Sequence, residues 1–127
     1  MASTFAGLGE IGQIAITVKD VERATAFYRD VLGMTFLFNA PGLAFFQAGG
    51  VRLMISRVEA EEFDHPASIL YFRVSPIEAA HAELKQRGVE FRTEPHVVHR
   101  TDTYELWLCD FYDCERNTFA LMEEKKR

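Results

Sequence analysis

A chain of 127 residues suits a single domain with one sizeable core. With 48% hydrophobic and 26% charged residues and a mean hydropathy near zero, the composition is that of an ordinary soluble globular protein, which excludes a disordered chain, a collagen-like repeat and a coiled coil. The net charge of −5, with no basic stripe, argues against nucleic acid as a partner.

Residues 1–9 lack a basic start and an apolar run of signal-peptide length, and read as a flexible leader. No stretch approaches the ~20 apolar residues of a membrane span, so no membrane partner is expected. Two cysteines, Cys109 and Cys114, are too few for a disulfide framework and form no C-x-x-C, so a reducing cytoplasmic setting is expected.

The first element is a strand at 11–18. Ile14, Ile16 and Val18 alternate with Gln13, Ala15 and Thr17, the period-2 pattern of a strand with unlike faces. Asp20 then caps a helix whose apolar stripe is Val21, Ala24, Phe27, Tyr28 and Val31, ended by Gly33. Strands follow at 34–39, 43–48 and 51–57, with Pro41-Gly42 and Gly49-Gly50 as turns.

The order then repeats. A strand at 68–74 alternates Leu70, Phe72 and Val74 with Ile69, Tyr71 and Arg73. Ser75-Pro76-Ile77-Glu78 reads as a capping box with proline at the first helical position, and Ile77, Ala80 and Leu84 give the stripe of a helix ended by Gly88. Strands at 89–92, 104–110 and 118–122 complete the copy. Val18 matches Val74 at an offset of 56 and Gly33 matches Gly88 at 55, so the second helix is one residue shorter. The chain is thus read as two βαβββ modules, 10–58 and 67–124, joined by an acidic linker at 59–66.

Each helix covers one sheet face. The opposite face mixes Gln13, Ala15, Thr17, Arg52, Met54 and Ser56 in the first module. In the second it carries Ile69, Tyr71, Arg73, Thr118, Ala120 and Met122. Such a mixture is a poor dry core but a reasonable wall for a ligand cavity.

Several segments resemble the vicinal oxygen chelate superfamily, which includes glyoxalase I, extradiol dioxygenases and the bleomycin- and fosfomycin-resistance proteins. Ile14-Ala-Ile-Thr-Val-Lys-Asp20 followed by Ala24-Thr-Ala-Phe-Tyr-Arg-Asp-Val-Leu-Gly33 is similar to the family's first strand and helix end. Phe72-Arg-Val74 leading to Leu84-Lys-Gln-Arg-Gly-Val-Glu-Phe91 resembles the opening of its second module. Asp113-Cys-Glu-Arg-Asn117 before Phe119-Ala-Leu-Met-Glu123 resembles its closing turn and last strand.

The resemblance implies an α+β fold in which two βαβββ modules form a curled, U-shaped mixed sheet, and often a homodimer. It also implies four metal-ligand positions, His or Gln on the first strand of each module and usually Glu on the fourth. Carried over, these fall on Gln13, Ile69, Met54 and Ala120, and only Gln13 can coordinate. No metal and no other cofactor is therefore expected, and isomerisation by a metal-bound carboxylate is not supported.

The remaining candidates each have two readings. Gln13 is a vestigial ligand position or a hydrogen-bonding group in a polar cavity. Arg52 and Arg73 either bind an anionic ligand bidentately or pair with Glu105 or another acid in the wall. Tyr71 is a hydroxyl donor or a satisfied core tyrosine; Trp107, Phe45 and Phe46 stack on a flat ligand or pack the core.

His96 and His99, at i, i+3 on a strand, would point to opposite faces, and the 94–103 stretch reads as a long connecting loop that places His96 at a pocket rim. His81 stands at the edge of a helix stripe and His65 in the linker. Cys109 reads as a small buried hydrophobe rather than a nucleophile. Arg116 stands where the family turn has glycine and Cys114 where it has proline, which predicts a rearranged turn.

The expected function is metal-independent binding of a small organic ligand in the concave cavity. The alternatives are a glyoxalase- or dioxygenase-type metalloenzyme with a non-standard site, and a structural protein with no ligand.

Overall fold

The computed structural model describes residues 11–57 and 68–127, together with Phe5. The expected leader, Phe5 aside, and the expected linker lie outside these residues. Phe5 itself is exposed.

The first module runs β1 (Gln13–Val18), α1 (Val21–Ala26), β2 (Thr35–Ala40), β3 (Leu43–Ala48) and β4 (Val51–Arg57). The second runs β5 (Leu70–Arg73), α2 (Ile77–Gln86), β6 (Glu90–Phe91), β7 (His96–Arg100), β8 (Tyr104–Tyr112) and β9 (Thr118–Lys126). Each forms a mixed sheet, ordered β1-β4-β3-β2 and β5-β9-β8-β6 respectively, with β7 also on β8. The outer pairs β1–β4 and β5–β9 are parallel, and the two sheets do not close on each other. This is the α+β, two-module architecture that the sequence predicts, with β7 as a strand added to the βαβββ order of the second module.

Two local departures have physical causes. The first helix continues from α1 into a π-helical turn, Phe27–Val31, in which the Leu32 N–H donates to the Phe27 carbonyl at 3.0 Å. The one residue by which this helix exceeds its counterpart is absorbed as that wide turn. At α2 the expected capping box does not form. Ser75 Oγ donates to Glu123 instead, and the Glu123 carboxylate accepts the Ile77 N–H at 2.8 Å. The helix start is thus satisfied from β9 rather than locally, because Pro76 occupies the cap position and offers no side-chain acceptor.

Helix-facing residues of both sheets merge into one core. Tyr28, fully buried on the π-turn, packs against Phe46 of β3 at 5.6 Å and Phe119 of β9 at 5.8 Å between ring centroids. The two sheets therefore share a core on their helix sides, which leaves the opposite face of each outward. Asp20 caps α1 as expected, and its own N–H and that of Lys19 donate to the Glu115 carboxylate of the second module.

The closing turn keeps a left-handed residue rather than rearranging. Arg116 has φ 67°, its guanidinium lies 4.0 Å from the Tyr112 ring centroid, and it pairs with Glu90. The Asp113 carboxylate accepts from the N–H groups of Glu115 and Asn117, which holds the turn whatever the residue at 116.

Candidate functional site

On the first sheet, alternation and register put Gln13, Ala15, Phe45, Arg52 and Met54 on the outward face. Arg52 donates from Nε to Gln13 Oε1 at 2.9 Å, and its guanidinium lies 5.6 Å from the Phe45 ring centroid. Gln13 Nε2 stands 3.9 Å from the Met54 sulfur. A register shift between Phe36 and Phe38 sends Phe36 into the core and Phe38 outward, where it stacks on Phe45 at 4.5 Å. The sequence reading missed Phe38, because unbroken alternation puts it on the helix side with Phe36.

On the second sheet, Ile69, Tyr71, His96 and Ala120 line one cavity of about 180 Å3 with Arg92, Thr93, Leu108, Cys109 and Asp110. Ala120 is its buried floor, paired with Tyr71 on one side and Asp110 on the other. Asp110 accepts from Arg92 and from Thr93 Oγ1. Burial raises the Asp110 carboxyl, but the Thr93 and Arg92 contacts outweigh it and hold the group below its ordinary value. Nothing in the local sequence signals this Arg92–Asp110 pair, since its members are 18 residues apart.

The histidine expectations need correction. Residues 96–100 form β7 rather than a loop, and His96 opposes Leu108 while His99 opposes Leu106. Because Leu106 and Leu108 share one face of β8, the intervening bulge at Val98 puts both histidines on the outward face. Simple i, i+3 counting places them apart because it assumes an unbroken strand. His96 Nδ1 lies 2.7 Å from the Glu94 carbonyl oxygen, which fixes Nδ1 as a donor.

Other candidates separate from this group. Trp107 stands on the helix-facing side of β8 with Cys109 and Phe111, its indole N–H donating to Glu105 and the Lys125 ammonium 4.5 Å from its ring centroid. It does not share the face of Tyr71 and His96. Arg73 is on that face but mostly exposed, with Glu124 rather than Glu105 as its nearest acid, at 3.9 Å. Phe46 is core, and burial pushes the Cys109 thiol up to about 11, which suits a packing residue. His81 packs its ring on Phe91, away from both faces.

A metal ion does not fit the positions the resemblance implies. Met54 lies two residues beyond Arg52, the direct partner of Gln13, and Ala120 pairs with Tyr71, two residues beyond Ile69. The donors they offer are one amide and one thioether, with no carboxylate. Among the described residues no group of three or more His, Cys, Asp or Glu side chains converges.

The model of the Glyoxalase/Bleomycin resistance protein/Dioxygenase superfamily matches residues 10–121. The chain belongs to this superfamily. Among solved structures, it is similar to an integron cassette protein from the mobile metagenome of V. cholerae, with 18% identity, a TM-score of 0.77, and coverage of 93% of this chain and 97% of that one. A superfamily member from Sphaerobacter thermophilus gives 23% identity and a TM-score of 0.74 over 92% and 98% of the two chains. TnmS3, an antibiotic binding protein from Streptomyces sp. CB03234, gives 19% and 0.74 over 95% and 100%. At these identities the likeness concerns the glyoxalase-like fold alone. No match was found among curated protein sequences.

A larger cleft, about 540 Å3, lies elsewhere, between α1 and the β2–β3 turn. Glu22, Arg29, Asn39 and Arg57 line it, and it includes none of the superfamily's site positions. No helix among the described residues is long and apolar enough to cross a membrane.

Proposed function

We propose that this superfamily member is a metal-independent cytoplasmic protein that binds a small organic molecule as a homodimer. The ligand lies between the outward face of the first sheet in one chain and that of the second sheet in its partner. The observation that carries this reading is the residue set at the superfamily's metal positions: Gln13, Met54, Ile69 and Ala120. That set suits an apolar wall with one orienting amide, not an ion.

Two further features support it. The outward faces leave Phe38 47%, Ile69 47% and Tyr71 53% exposed, an apolar surface that a second copy would cover. The cavity of about 180 Å3 on the second sheet is smaller than the ~300–1,000 Å3 of ordinary ligand sites, so enclosure by another surface is expected.

A thermal-shift screen of a broad organic library checks the reading, since a ligand of the native state raises the melting temperature. At least one stabilising compound is expected, with its effect reduced by Gln13→Ala or Tyr71→Ala. A blank screen supports a structural role instead.

A second reading is favoured by one observation, the bulge that puts His96 and His99 on one face. Two imidazoles there supply half of a four-ligand site, with the rest to come from a partner chain. Stoichiometric metal that disappears in His96→Ala with His99→Ala would establish it.

A further inference from the structure

We propose that the outward face of the first sheet recognises a planar aromatic anion, an aryl carboxylate whose ring lies on the Phe38–Phe45 stack and whose carboxylate meets Arg52. This rests on the ligand-binding reading above and adds the chemical class of the ligand.

The charge pattern comes first. By alternation and register, Arg52 is the one charged side chain among the described residues on that face; its neighbours across the strands are Gln13 and Gln47. No carboxylate forms an ion pair with it among the described residues, whereas Arg23, Arg29, Arg73, Arg87, Arg92, Arg100 and Arg116 each have an acid within 4.0 Å. The molecule carries −5 overall, but among the described residues no acid pairs with the one positive group on this face. Among the described residues a cationic ligand meets no acid on that face, and Arg52 repels it.

The guanidinium is also oriented. Its Nε is committed to Gln13 Oε1 at 2.9 Å, and its two terminal nitrogens present the N–H edge that donates to a ligand. A carboxylate matches that edge with two parallel hydrogen bonds. Gln13 is itself held, its Nε2 toward the Met54 sulfur and its oxygen toward Arg52.

The ring preference follows from the same cluster. Phe38 and Phe45 are stacked at 4.5 Å with 25° between their planes, and Phe38 is half exposed. The Arg52 guanidinium lies 5.6 Å from the Phe45 ring centroid, so an aryl group laid across the exposed edges of both rings brings its acid to the guanidinium. An aliphatic acid gains the ion pair without the stack.

Three probes test it by titration of the intact protein: 2-naphthoate, neutral 2-naphthamide and cationic 2-naphthylmethylammonium. Naphthoate is expected to bind at least about tenfold tighter than the amide, with NMR shifts at the Arg52 Nε–H and the Gln13 side-chain amide. Arg52→Gln should bring the two affinities together, and Phe45→Leu should weaken both by a similar factor while keeping their ratio.

Equal affinities in the wild type, a preference for the cation, or an anion preference that survives Arg52→Gln overturns the inference. Failure of all three probes to bind overturns it as well. The broader ligand-binding reading falls only if the library screen is blank too.

Discussion

The Tyr28 hydroxyl donates to the Asp113 carboxylate at 2.6 Å inside the protein, joining the π-turn of the first module to the closing turn of the second. Asn117 Nδ2 donates to the same carboxylate oxygen at 2.9 Å. Burial raises the Tyr28 phenol far above its ordinary value, with Asp113 adding to the effect, so it stays protonated as the donor. Tyr28→Phe keeps the ring contacts but removes this donor, and should cost about 1.5–3 kcal/mol, the range for hydrogen bonds to charged groups. Urea unfolding measures it; a loss below about 0.5 kcal/mol would remove this contact as a module lock.

Glu115 provides the pH-dependent part of the same junction. Burial raises its carboxyl, but the Lys19 N–H, the Arg23 guanidinium and the Asp20 N–H outweigh this and hold it below its ordinary value. A folded value below the unfolded one, about 4.3, means the stabilisation is complete above that pH and is lost as pH falls through the folded value. Glu115→Gln should flatten the fall in urea midpoint below about pH 5. An unchanged slope would show that other carboxylates govern acid unfolding.

Ala120 floors the second-sheet cavity. Ala120→Leu fills that space, so a compound found by the library screen should lose at least about tenfold in affinity, at a stability cost of roughly 1–3 kcal/mol from overpacking. Titration of the variant with that compound decides. Unchanged affinity would put the ligand elsewhere.

The proposed dimer buries Phe38 of each chain. Phe38→Asp puts a charge into that contact and should shift the protein from dimer to monomer in sedimentation velocity while leaving the fold intact. A monomeric wild type at micromolar concentration would contradict the two-chain site.

Much of the fold was legible because alternation and helix spacing are local. Ile14, Ile16 and Val18 face the core as their period-2 pattern requires, and Gly33 and Gly88 end their helices with φ of 70° and 92°. What was hidden depends on insertions that no local pattern marks. The bulges at Leu37 and Val98 reverse the faces of Phe38 and His99 at the ends of their strands. Trp107 was ambiguous for another reason: β8 is apolar on both faces, with Leu106 and Leu108 on one and Trp107, Cys109 and Phe111 on the other. Likewise, the Ser75 capping box fails because Pro76 takes the cap position, and Glu123, far along the chain, accepts the Ile77 N–H instead.

Elemental analysis of the tag-free protein, prepared without chelator, tests metal independence most directly. The account predicts well under one transition-metal ion per chain, with organic ligands still bound. One tightly held Ni, Zn, Mn or Fe per chain, lost when His96 and His99 are replaced, would contradict it.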